Sequence, residues 1–536
     1  KKVQTNSQTW AWGIDLDQNN NVYVTGQFAG TGDFDPGAGT FNMTSAYGAQ
    51  IFVLKLDAAG EFVWAKNFIT NGLSGGESVG KRIKIDPLGN IYTAGYFVDT
   101  VDFDPGVATF QLVSNGNIDI FISKLDASGN FVWAKSFGGI DRDEVYDLEL
   151  DDVGNVYTTG GFKDSVDFDP NGPAFDLYSF GSEVFISKLD ASGNFVWAKH
   201  FEGGAGDYYG QGIALDADLN VYTTGYINSS VDMDPGPNSL YMGSGIGVIF
   251  VSKLNANGDY AWAKVLPTSG FGYGNAIAVN ANSEVYITGG FMGNGDFDPG
   301  AGTTTLTAVG NMDVFILNLD SAGGFMNVWQ MGSSTTDRGE SIFVDATSSI
   351  YTTGTFGDSA DFDPGAGTLT LTSMGNFDSF VQKIGNCLLN TSVTVSGNTL
   401  SANQVGASYQ WMDCNLFAPV SGANGQSFTP TASGNYAVIV SQGTCADTST
   451  CTTVTITQTD DALAAAAIQV YPNPATETLN IQSLEVIESI TLTNMLGAVV
   501  QMETTDRFSV AALPQGVYVL RIQTASGMKN ARFVKR

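Results

Sequence analysis

The sequence predicts an all-β protein of several domains in series. Short segments of alternating apolar and polar residues, split by Gly, Asn and Asp turns, fill the first 384 residues in six similar copies. After residue 386 the repeat stops and the composition shifts toward Ser, Thr, Asn and Gln. At 536 residues the chain exceeds one ordinary core, so two to four domains are expected. Its 65 glycines suit a molecule built from many turns.

The repeat is read most easily from its Val-Tyr or Ile-Tyr step, at Tyr23, Tyr92, Tyr157, Tyr222, Tyr286 and Tyr351, spaced by 69, 65, 65, 64 and 65 residues. An acidic turn begins ten residues after each tyrosine, first as Asp33-Phe34-Asp35-Pro36-Gly37. An alternating strand such as Ile120 to Leu125 follows, then an Asp-Ala-Ser-Gly type turn, then Phe131-Val132-Trp133-Ala134-Lys135. That tryptophan recurs at Trp64, Trp197, Trp262 and Trp329. Each copy therefore offers four short antiparallel strands. One such sheet cannot bury both of its faces, and stacking on its neighbours solves the problem. Six copies predict a six-bladed β-propeller over residues 1–386. The tryptophans are expected to pack between blades, because burying an aromatic ring is a large stabilising term.

The Gly-Asn-Val-Tyr-Thr-Thr-Gly and Phe-Val-Trp-Ala-Lys elements resemble bacterial β-propeller repeats of the SBBP type, over about 375 residues. The resemblance implies the fold and says little about activity. Five Trp strands serve six copies. Lys1 lies where the lysine of Trp-Ala-Lys should stand, so the missing outer strand of the last blade is expected upstream of Lys1.

Residues 387–458 hold all four cysteines, Cys387, Cys414, Cys445 and Cys451. An even number confined to one small region reads as a local disulfide framework made in an oxidising compartment, with three pairings open. Trp411 on one strand and Tyr436 on a later one predict a small β-sandwich, similar to Ig-like modules. Residues 459–467 read as a linker.

Residues 468–536 carry Val470-Tyr471-Pro472-Asn473-Pro474, then Ile490 to Gly497, then Leu513-Pro514-Gln515-Gly516-Val517-Tyr518 and a basic end through Lys535. In order and spacing these resemble the type A C-terminal domain of type IX secretion cargo, a second small β-sandwich. The resemblance implies export through the periplasm and outer membrane to the cell surface or medium. It also implies recognition by translocon, shuttle and sortase components, with Tyr471, Pro472, Asn473, Pro474, Gly497, Gly516, Tyr518 and Lys535 as signal residues.

The formal charge is −31, with 23 Lys+Arg against 54 Asp+Glu, so nucleic acid is a poor partner. No apolar run reaches the length of a membrane-spanning helix. No catalytic constellation is visible. The one histidine, His200, sits at a variable position that reads as a solvated strand end. The recurrent polar pairs are Asp33/Asp35, Asp102/Asp104, Asp167/Asp169, Asp232/Asp234, Asp296/Asp298 and Asp361/Asp363. Two carboxylates in a turn suit Ca²⁺, and equally suit a turn whose N–H groups they accept. The function expected is that of an exported binding or adhesion protein with an extracellular glycan or protein ligand. The alternative is a secreted propeller-based enzyme acting on glycans.

Overall fold

The computed structural model describes residues 2–71, 76–364, 368–385, 389–415, 418–442, 445–456, 468–494 and 497–536, with backbone alone at 445–447. Every regular element among them is a strand. The chain divides into two compact units, residues 1–386 and 387–536. The linker expected at 459–467 and Cys387 lie outside the described residues.

Among the described residues the first unit contains six main antiparallel sheets, one per sequence copy, and four smaller ones of two or three strands. In the first, Thr9–Leu16, Val22–Phe28, Gln50–Leu56 and Phe62–Thr70 pair in chain order. The next four sheets repeat this plan, and the sixth has three strands, Arg338–Val344, Ile350–Phe356 and Asp378–Ile384. The Trp-bearing segment is the last of the four strands in each of the first five sheets, and in the first sheet its end also pairs with Thr100–Asp102. Gln4–Thr5 pairs with Thr31–Asp33 in the register by which Ile69 and Thr70 pair with Asp102 and Val101. Gln4 and Thr5 thus stand in the register that Ile69 and Thr70 take at the end of the first sheet's Trp strand.

Innermost strands pack in sequence, Thr9–Leu16 on Val79–Ile85, and so on to Arg338–Val344. The apolar residues of one sheet's third strand and the next sheet's innermost strand share one core five times over. The pairs are Val53/Ile83, Ile122/Leu148, Ile186/Ile213, Val251/Ile277 and Ile316/Ile342. The sixth equivalent pair would be Val381 and Ile14. Both are open to solvent, at 80% and 70% exposure. Among the described residues, then, the first and sixth sheets show equivalent faces without the packing that closes a ring.

The expected inter-sheet role of the tryptophans holds in detail. Trp133 is buried and its Nε1 donates to the Ala191 carbonyl of the next sheet, 3.3 Å away, and Trp262 donates likewise to Ser321. The Trp133 ring lies against Gly193, whose φ of +77° and lack of a Cβ let the turn approach. The repeated tyrosine is locked on three sides. Tyr222 donates to Asp216, lies under the Lys253 ammonium and meets the edge of Trp262.

In the second unit, residues 389–456 form two sheets around one core holding Trp411, Leu400, Tyr436 and Val438. Cys414 and Cys451 are joined, which resolves one of the pairings left open. Residues 468–536 form a three-stranded and a four-stranded sheet around a separate core of Leu479, Leu492, Tyr518 and Phe533.

Candidate binding site along the inner strands

Each innermost strand slips by one residue against its neighbour, skipping Trp12, Lys81, Tyr146, Gln211, Asn275 and Glu340 in the six sheets. A β-bulge of this kind re-aims one side chain. The bulge explains the glycine of Tyr-Thr-Thr-Gly. A Cβ on Gly225 would stand 1.9 Å from the Tyr209 carbonyl oxygen, and the same clash recurs at Gly95 and Gly160. Glycine is thus the residue that admits the bulge. The glycine repeats, but the bulged residue is a different amino acid in every sheet.

These side chains and their neighbours two residues back join into one arc across all six sheets. Trp10 and Trp12 of the first sheet stack with centroids 6.1 Å apart and planes 15° apart. The Lys81 ammonium lies 3.9 Å from the Trp12 ring centroid and 5.6 Å from that of Tyr96. Arg142 reaches the other way, over Tyr96 and onto Glu144 at 2.6 Å. Tyr146 donates to the second oxygen of Glu144 at 2.6 Å. The arc then continues ring to ring, Tyr146 to Tyr209, Tyr209 to Tyr226, and Tyr226 to Tyr273 at 5.0 Å. Arg338 of the sixth sheet covers Tyr273. The charge of Arg82, on the second sheet, acts on Glu340 of the sixth, so the array curls until distant sheets feel each other.

The electrostatics follow from enclosure. Desolvation lowers Lys81 despite the attraction of Glu144. Desolvation, then the Glu144 charge, pushes the Tyr96 hydroxyl up to about 12. Glu340 is raised by its surroundings against the pull of Arg338 and Arg82. Arg82 is itself paired with Asp147 at 2.9 Å. The arrangement presents aromatic faces and internally paired charges.

The acidic turns stand elsewhere and are built alike. Asp33 Oδ1 accepts the N–H groups of Asp35 and Phe41, and Asp35 accepts that of Gly37. Asp102 and Asp104 repeat the pattern, as do Asp167 with Asp169, Asp232 with Asp234 and Asp296 with Asp298. Asp361 accepts from Asp363 and Leu369. The apolar residue between the two aspartates, Phe34 in the first copy, is fully buried. Each pair thus holds a plug in its sheet's core. Among the described residues no three His, Cys, Asp or Glu side chains are grouped to hold a metal.

His200 corrects the expectation of a solvated strand end. It is half-buried, and its Nδ1 lies 2.9 Å from Glu183, which is fully buried and also accepts the Gly203 N–H. The position varies because it is one half of a pair. The equivalent pairs are Asn67 with Gln50 and Gln330 with Asp313.

In the last domain, Tyr471, Pro472, Asn473 and Pro474 form an exposed segment beside the final strand. Asn473 ties it there, accepting the Val534 N–H and donating to the Arg532 carbonyl. Tyr518 is buried, stacked on Phe533 and bonded to the Pro514 carbonyl. Gly497, at φ +79°, closes a turn on Asn494. Gly516 opens the strand Gly516–Thr524 at the edge of the extended region, with only the Tyr518 ring near a would-be Cβ. Lys535 is buried and bonds the Arg536 carbonyl.

Residues 469–536 match the family described as a secretion system C-terminal sorting domain, and residues 196–231 match a β-propeller repeat of the SBBP kind. An uncharacterized WD repeat-containing protein of Acanthamoeba polyphaga mimivirus is 22% identical over 425 aligned residues, 66% of this chain. This chain spans 30% of that relative's length. Two solved structures align at low similarity. The extracellular domain of a hybrid two-component system of B. thetaiotaomicron covers 100% of this chain, and 99% of its own, at 10% identity and TM-score 0.17. A structure bearing on Dscam isoform specificity covers 62% and 98% at 11% identity and TM-score 0.11. Neither score supports a shared fold. The sorting-domain match decides the destination: it indicates export by a type IX secretion system, to the cell surface or the medium.

Proposed function

We propose that this is an exported binding protein of the adhesion type, whose first unit is a six-bladed propeller that recognises an extracellular ligand along its inner strands. One observation carries the reading. The scaffold residues repeat in all six sheets, whereas the bulged inner position holds Trp, Lys, Tyr, Gln, Asn and Glu. A position that differs in every copy on the innermost strands is what a ligand site needs and a structural core does not. Binding is favoured over catalysis because Glu144 is held by both Arg142 and Tyr146 rather than left open to accept a substrate proton. The test is a glycan and matrix-protein array probed with the labelled full chain and with a Trp10→Ala/Trp12→Ala variant. Binding by the parent and its loss in a folded variant are expected. A variant that keeps every interaction would move the function elsewhere on the molecule.

The finer assignments belong to the same proposal. Residues 387–458 serve as an Ig-like spacer, and 468–536 as a type A sorting domain recognised through the exposed Tyr471 to Pro474 segment. Deleting 468–536 should leave the first unit folded in the periplasm, and Asn473→Ala should slow export without unfolding the domain. Normal export of the deletion variant would sink the assignment.

A further inference from the structure

We propose that the ligand of the inner-strand arc is a neutral oligosaccharide, an inference that rests on the binding reading above and names its chemistry. The first support is charge. Two cations at the arc are ion-paired, Arg142 with Glu144 and Arg82 with Asp147, and Arg338 lies over the Tyr273 ring. Lys81 lies over the Trp12 ring and is attracted by Glu144. An anionic ligand would have to break these pairs, in a chain whose formal charge is already −31. A cationic ligand would compete with the arginines for the same carboxylates and ring faces.

The second support is surface. Trp10 and Trp12 are 52% and 44% exposed, nearly coplanar, and held in place by strand and bulge. Two nearly coplanar rings with open faces offer a platform on which a ligand ring can stack. The hydroxyls of Tyr96, Tyr226 and Tyr273 bond no protein group among the described residues. A pyranose meets both demands: its C–H face lies on an aromatic plane, and its hydroxyls pair with phenols and amides. A purely apolar ligand would leave those polar groups unpaired, at a cost in affinity.

The experiment is isothermal titration of the full chain with neutral hexasaccharides (β-1,4-glucan, β-1,4-xylan, chitin and α-1,4-glucan) and with alginate and heparin hexasaccharides. At least one neutral sugar should bind, with an affinity that molar NaCl leaves within about twofold. Trp12→Ala and Tyr226→Ala should each weaken it about tenfold, the scale of one lost stacking contact. Trp12→Phe should restore much of the affinity, and thermal melts check that each variant is folded. Binding confined to the anionic sugars and lost in salt, or no neutral sugar bound, would overturn the proposal. If the arc variants instead lose a protein ligand from the array, the binding reading survives and the saccharide falls. If they lose nothing, both fall.

Discussion

Asp119 shows how a single buried group sets a pH response. It is 1% exposed, one oxygen accepts the Asn115 N–H, and the other finds no partner. Burial raises its carboxyl to about 7, the Asn115 bond opposes this, and the neighbouring Asp143 adds to the rise. Asp143, also buried, is raised to about 6. Both folded values lie above the unfolded one, so the folded state binds more protons between about pH 4 and 7. These two groups therefore make the protein lose stability as pH rises through that window. Asp119→Asn keeps the acceptor and removes the charge. It should raise stability at pH 8 by on the order of 2–4 kcal/mol and change little at pH 4. Thermal melts of both proteins across this range check it, and parallel curves would show that Asp119 does not carry the effect.

At the scale of an element, the acidic turn has a complete account in hydrogen bonds. Asp232 accepts the N–H groups of Asp234 and Leu240 and so holds buried Met233 in the core of the fourth sheet. Asp232→Ala orphans both donors and should cost about 2 kcal/mol in urea denaturation. Excess EDTA should leave the melting temperature of the parent unchanged. A rise with Ca²⁺ that Asp232→Ala abolishes would return the turns to the calcium reading. The inner strand is the opposite kind of element. Its bulge is fixed by a repeated glycine, and its bulged residue is free to vary because it belongs to none of the sheet cores.

For the whole molecule, the question is how six sheets end. Five sheet-to-sheet interfaces bury an apolar pair, and the sixth pair, Ile14 and Val381, stands open. We expect these faces to meet when the propeller closes, because each repeats a surface that the chain already buries five times. An Ile14→Cys/Val381→Cys variant should then form its bond within one chain under mild oxidation, migrate as a monomer and melt higher than the parent. Cross-linked dimers would mean that the faces join neighbouring molecules. No bond at all would mean that the array stays open.

The sequence by itself determined the strands, the repeat, the outer Trp staple and the sorting domain. Each of these is written in local periodicity or in a motif a few residues long, so no distant contact is needed to read it. The Tyr-Thr-Thr-Gly glycine was legible as a repeated element, but its reason was not, since the clash it avoids is with a neighbouring strand. Only the tertiary structure decided which cysteines pair, that His200 leans on a buried glutamate, and that the first and sixth sheets present matching open faces. It alone revealed the inner-strand arc. Trp12, Lys81 and Tyr146 stand at the spacing of the repeat, but nothing in that spacing says that their side chains meet or that Tyr226 joins them. The one available signal was negative, a position that changes in every copy two residues before a repeated Ile or Leu. Chain folding gathers those varying positions, because packing the sheets in sequence brings their inner strands, about 65 residues apart in sequence, side by side.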